Sequence, residues 1–175
     1  MKAAPCAAVA IGIAVMPGIA FQNPAGANSN VPSFKDYQVP ALEFFKGEPA
    51  EPRFKTSGQK KFESRIHLAA SRGADFAGHF AIAQWGCGTG CVQVAVIDVQ
   101  SGNVFEGPFG TLPKARISFQ AADDDLLYRI DSRLLVARGC PNEKACGAYY
   151  YEWTGSQFRL LQQAPVKTSP VPLGH

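Results

Sequence analysis

Apolar residues follow two rhythms along this chain, and the change falls at Gly73. Before it, Phe62, Ile66 and the Ala69/Ala70 pair recur at helical spacing, with Lys60, Lys61, Glu63 and Arg65 on the other faces. Thr56 and Ser57 are cap-type residues and Gly73 supplies a stop, so the spacing predicts one helix over Thr56–Gly73. After Gly73 the pattern becomes strand-like. Phe76–Trp85 and Val92–Val99 are rich in aromatic and β-branched residues around a Gly-Thr-Gly connection. Ser101-Gly102-Asn103 then turns into Val104–Phe105, Gly107–Pro113 reads as loop, and Ile117–Phe119 is a short strand. Leu126–Ile130 and Leu134–Arg138 form a predicted hairpin around Asp131-Ser132. Tyr149–Trp153 and Phe158–Leu161 form another around Thr154-Gly155-Ser156.

These elements predict an α+β fold: a twisted antiparallel sheet of about six strands with one helix, on the N-terminal side of the strands, packed on a face. Val92–Val99 is apolar on both sides, which predicts central strands covered on both faces. Pro49 and Pro52 interrupt Ala41–Phe54, expected as a strand or loop whose Leu42, Phe44 and Phe45 dock on the body.

The first 27 residues follow another logic. Lys2 is the sole charge before Lys35, an Ala/Val/Ile/Gly run follows, and Pro17-Gly18 precedes small residues. That order is a secretory signal, with small-x-small cleavage positions after Ala20 and after Ala27. The apolar run falls short of the roughly 18–20 residues a spanning helix needs. The expected organisation is therefore a signal peptide at 1–27, a flexible leader at 28–40, one globular domain at 41–164 and a loose tail at 165–175. The mature form is not expected to be membrane-embedded, and its location is periplasmic or secreted. The formal charge of +3 is small and its Lys and Arg are scattered, which argues against a nucleic-acid partner.

Cys6 lies within the signal, leaving Cys87, Cys91, Cys140 and Cys146. An even count in an exported chain favours two disulfides, with three connectivities open. The local pairs each flank a short loop that a hairpin closes with facing Cβ atoms, so geometry favours Cys87–Cys91 and Cys140–Cys146.

Chemistry-bearing residues are sparse. His79 with the Cys87/Cys91 loop suggests a metal or thiol-redox site, since thiolate and imidazole suit zinc and copper. Reach opposes it: eight strand residues separate His79 from Cys87, roughly 26 Å at ~3.3 Å each. Paired across the turn, the cysteines place His79 opposite Val99 instead. No metal or other cofactor is expected. His79 shares a face with Ala77, Ala81, Ala83 and Trp85, where small neighbours leave room for a pocket or a packed segment. Tyr149, Tyr151 and Trp153 alternate onto one face, either a core row or a binding stripe. His79, Trp85, Tyr149, Tyr151 and Trp153 are thus the candidate binding residues. Asp123–Asp125 reads as a solvated loop, and Arg129, Arg133 and Arg138 either bind an anion or snorkel from the sheet. No serine occupies a Gly-x-Ser-x-Gly elbow, and no catalytic residue is assigned.

With Phe76-Ala77-Gly78-His79-Phe80 followed by Trp85-Gly86-Cys87-Gly88-Thr89-Gly90-Cys91, the chain resembles a family of exported bacterial proteins without an established activity. Asp131-Ser132-Arg133-Leu134-Leu135 and Tyr149–Gly155 carry the likeness further. The resemblance implies export and one compact domain, and assigns no catalytic group. The resulting expectation is a non-catalytic binding module of the cell envelope, an inhibitor, immunity or accessory protein, whose partner is a protein or envelope glycan. The alternative is the metal or thiol-redox protein using His79 with Cys87/Cys91.

Overall fold

The helical rhythm before Gly73 yields two short helices where one was expected. A computed structural model describes residues 31–113 and 125–165. The signal peptide with its cleavage positions, residues 28–30 of the leader, the Ile117–Phe119 strand, Asp123, Asp124 and the tail beyond Pro165 lie outside the described residues. Helix α1 (Ser57–Lys61) starts where the Thr56 hydroxyl accepts a hydrogen bond from the Gln59 amide at 3.1 Å. Phe62 then leaves helical geometry (φ −112°, ψ 22°), with its ring stacked on Trp85 at 4.6 Å. Helix α2 (Glu63–Ser71) follows and buries Ile66 and Ala70.

Strand β1 (Phe80–Gly86) pairs antiparallel with β2 (Cys91–Asp98), from Phe80↔Asp98 to Gly86↔Val92. The short strands β3 (Val104–Glu106) and β4 (Leu112–Pro113) share the other edge of β2, at Ala95–Ile97 and Cys91–Val92 respectively. A second four-stranded antiparallel sheet runs in the order β5 (Leu126–Arg129), β6 (Ser132–Gly139), β7 (Gly147–Trp153) and β8 (Phe158–Pro165).

The described residues therefore form eight strands in two sheets, not about six in one. The physical reason lies in β2, which is apolar on both faces while the helical segment is wide enough to cover only one. On one side Ala81, Ala83, Ala95 and Ile97 pack against Ile66 and Ala70 of α2. On the other, Ile82, Val94 and Val96 meet Leu135, Ala137, Tyr149, Tyr151 and Trp153 of the second sheet. The alanines suit the helix side, since small side chains let a helix axis approach the sheet closely. Strand β7 alternates strictly between buried and half-buried residues, as expected of a strand with one core face.

Two local expectations change. Phe76–His79 is a tight turn rather than the start of a strand, and Leu112–Pro113 is a strand rather than loop because Leu112 is buried against β2. In the Ala41–Phe54 stretch, Phe44 and Phe45 pack against the body, but Leu42 is 90% exposed. The chain from Val39 to Ala50 ties the layers together. The Val39, Phe45 and Ala50 amides donate to the carbonyls of Asp131 (2.9 Å), Gly78 (3.0 Å) and Val99 (2.8 Å).

Candidate functional site

The β1–β2 register separates the residues that a joint metal or redox site would need. Cys87 and Cys91 face each other at the tip of the hairpin, at disulfide distance with Cα atoms 5.2 Å apart. Cys140 and Cys146 pair likewise, with Cα atoms 4.0 Å apart. His79 sits at the opposite end, its carbonyl accepting from the Val99 amide at 3.0 Å. The intervening length of strand, roughly 26 Å by the usual rise, keeps His79 from reaching either sulfur. No group of three or more His, Cys, Asp or Glu capable of holding a metal occurs among the described residues.

Of the candidate binding residues, Tyr149, Tyr151 and Trp153 lie in the core between the sheets and present no stripe to solvent. Burial, and then the neighbouring Tyr149, push the Tyr151 phenol up to about 12. The Tyr149 hydroxyl, also raised by burial, donates to the Ala145 carbonyl. Trp85 is half-buried and pinned, stacked on Phe62 and donating from Nε1 to Gln93 Oε1 at 2.7 Å.

His79 and Trp153 meet at a different place, the open edge of the inter-sheet core. A cavity of about 250 Å³ there is lined by Glu43, His79, Asp98, Arg133, Trp153 and the Thr154–Gly155 turn, over Val39, Ala77 and Phe80. Each group arrives for a local reason. Ala77 (φ 44°) and Gly78 (φ 85°) take left-handed geometry, which folds Phe76 back so that it exchanges two 2.9 Å hydrogen bonds with Phe80. The Gly78 amide then donates to the Ile130 carbonyl at 2.7 Å, linking the turn to the second sheet. This turn projects His79 at the mouth, its ring 4.2 Å from that of Phe80. Glu43 comes from a 3-10 turn (Ala41–Glu43) whose Glu43 carbonyl would lie only 3.1 Å from a Cβ at position 78. Arg133 ends the inward row of β6 that holds Leu135 and Ala137, and the β6–β7 register brings it opposite Trp153.

The electrostatics of this cavity are unfinished. The Asp98 carboxylate is occupied by its own turn, accepting from the Gln100 and Ser101 amides at 2.9 and 3.4 Å. Glu43, His79 and half-buried Arg133 make no side-chain hydrogen bond or ion pair among the described residues, although Glu43 and Arg133 line the same space. Trp153 is fully buried, and its Nε1 is the one buried side-chain nitrogen or oxygen without a partner among the described residues. Phe80 and Phe105 flank the indole edge-to-face at 5.2 and 5.5 Å, and rings of this kind accept an N–H only weakly. The arrangement offers a cation, an anion and an imidazole to a small polar molecule.

Sequence reasoning named His79 and Trp153 and left Arg133 either to bind an anion or to snorkel from the sheet. The structure decides between these: Arg133 shares its strand face with Leu135 and Ala137 of the inter-sheet core and lines the cavity at its edge, whereas both faces of β6 are buried, so alternation alone does not single it out. Glu43 carried no signal, because only the tertiary path of residues 39–45 brings it to this edge. No family model, no curated protein and no solved structure matches this chain.

Proposed function

We propose that the chain is an exported, non-catalytic binding module of the bacterial cell envelope, an inhibitor, immunity or accessory protein that recognises its partner through the His79 cavity. The observation that carries this reading is that cavity: three polar side chains without a hydrogen-bond or ion-pair partner among the described residues, at one edge of the two-sheet core. Unpaired polar groups in a preformed concavity favour a ligand that supplies the missing contacts. The two cysteine pairs at disulfide distance fit an oxidising compartment, as does the signal-like start of the chain. The partner is a protein, a glycan or a small polar molecule of the envelope.

The test is a thermal-shift and calorimetric screen of the full chain against soluble envelope glycan fragments, peptides and small metabolites. It is run beside His79→Ala and Arg133→Gln. The expected result is one class that raises the melting temperature of the natural chain, is recovered unchanged, and loses its effect in both variants. Turnover of the bound compound would refute the non-catalytic reading. Binding unaffected by either variant would move the recognition site elsewhere.

A further inference from the structure

Within that binding reading, we infer that the His79 cavity takes a small zwitterion of amino-acid type, with the carboxylate on Arg133 and the ammonium on Glu43. The inference rests on the cavity being the recognition site and adds the chemistry of its occupant.

The charges give the first reason. A half-buried guanidinium and a carboxylate line one cavity, and neither bonds the other nor any described residue. Arg133 is partly desolvated and no acceptor among the described residues compensates it, whereas Glu43 stands exposed at the rim and keeps its contact with water. Unpaired in one cavity, they leave a site whose complement carries both charges, negative beside Arg133 and positive beside Glu43. A simple anion would leave Glu43 opposed to it, and a simple cation would leave Arg133 so.

Size gives the second reason. About 250 Å³ lies below the roughly 300–1,000 Å³ typical of pockets for drug-sized ligands, which limits the occupant to a few heavy atoms beyond its charged groups. The floor of Val39, Ala77 and Phe80 is apolar and fits a short aliphatic side chain. His79 at the mouth adds a hydrogen-bonding group. Trp153 Nε1 is sealed from solvent, so the indole reports on the site rather than binding the carboxylate.

The experiment uses the ¹⁵N-labelled full chain, whose two tryptophans give two indole signals, assigned with Trp85→Phe. The standard amino acids, acetate and methylamine are each titrated. The expected result is a saturable shift of the Trp153 indole with at least one small amino acid, while acetate and methylamine bind at least about tenfold more weakly. Arg133→Gln is expected to weaken the amino acid and acetate by about tenfold or more, with partial recovery in Arg133→Lys. Glu43→Gln should weaken the amino acid and leave acetate unchanged. Dispersed amide spectra establish that each variant is folded. Absence of any saturable shift with amino acids overturns the inference, as does binding indifferent to both charge variants. If envelope glycan fragments shift Trp153 while amino acids do not, the zwitterion is wrong and the binding module stands. If neither class binds, both fail.

Discussion

The two ends of the β1–β2 hairpin draw on the same residue types and use them differently. At the tip, Gly86, Cys87, Gly88 and Gly90 surround a cysteine pair, and every residue from Gly86 to Gly90 is exposed. At the base, Phe76, Ala77 and Gly78 are buried and bonded to the second sheet and to the N-terminal segment. The tip closes a local loop and touches little else. The base is where three chain segments meet and where polar groups are left unpaired. Conspicuous cysteines thus mark the peripheral end of the element, and the chemistry collects at the end whose motif reads as Phe, Ala, Gly and a single His.

Substituting one glycine at each end tests that contrast most severely. A Cβ at position 78 would sit 3.0 Å from Val39 Cγ1 and 3.1 Å from the Glu43 carbonyl, on a backbone with φ of 85°. Gly78→Ala is expected to cost about 3 kcal/mol of stability, combining left-handed strain with overpacking. Gly88→Ala has open space around its Cβ, so only backbone strain of about 1 kcal/mol remains. Urea denaturation of both variants measures the difference, and equal losses would mean that the base is no more constrained than the tip.

Removing the tip cross-link should have the next largest effect. Cys87→Ser with Cys91→Ser opens a five-residue loop, worth about 2 kcal/mol in the chain-entropy treatment. Because Cys87 also donates its amide to the Cys91 carbonyl at 3.2 Å, the turn keeps a backbone bond without the cross-link. Amide exchange should therefore quicken around residues 86–92 alone, with protection at His79 and Val99 unchanged. Faster exchange at the base would show that the tip holds the cavity in shape.

What the sequence discloses follows from how local each cause is. The cysteine spacing implies the hairpin register, and with it His79 opposite Val99, because antiparallel pairing is fixed by one turn. The burial of Tyr149, Tyr151 and Trp153 on one face follows from period-two alternation. By contrast, the break at Phe62 coincides with its stacking on Trp85, a partner beyond the reach of helical periodicity. The second sheet escapes for a related reason. Apolar residues on both faces of β2 call for two covers, but nothing in β2 says that one cover is a sheet. The candidate site was half legible. His79 and Trp153 sit in recognisable motifs, whereas the face that Arg133 takes needs the packing of a strand buried on both sides, and Glu43 arrives through chain path alone.

The smallest predicted effect separates the two ends by pH. At the base, the Asp75 carboxylate accepts from the Ile82 amide at 2.9 Å while the Asp75 amide donates to the Phe80 carbonyl at 2.9 Å. Crowding by surrounding protein raises its pKa above the usual 3.8, and the Ile82 bond and Arg72 offset this only in part. A carboxyl whose pKa rises on folding contributes fully when both states are protonated, below about 3.8, and loses that contribution as pH climbs through the folded value. Asp75 is itself solvent-exposed, so the penalty that the native state bears at neutral pH is small. Asp75→Asn keeps an acceptor for the Ile82 amide and removes the charge, so its denaturation midpoint at pH 7 should equal or slightly exceed that of the natural chain. The gap should close as the pH falls below about 4. The double cysteine variant changes no titrating group while the disulfide is intact, so its deficit should stay constant over the same range. A variant less stable than the natural chain at pH 7 would mean that attraction to Arg72 outweighs desolvation. The Asp75 anchor would then be an ion pair holding the base of the hairpin, and the base would resist acid less well than the tip.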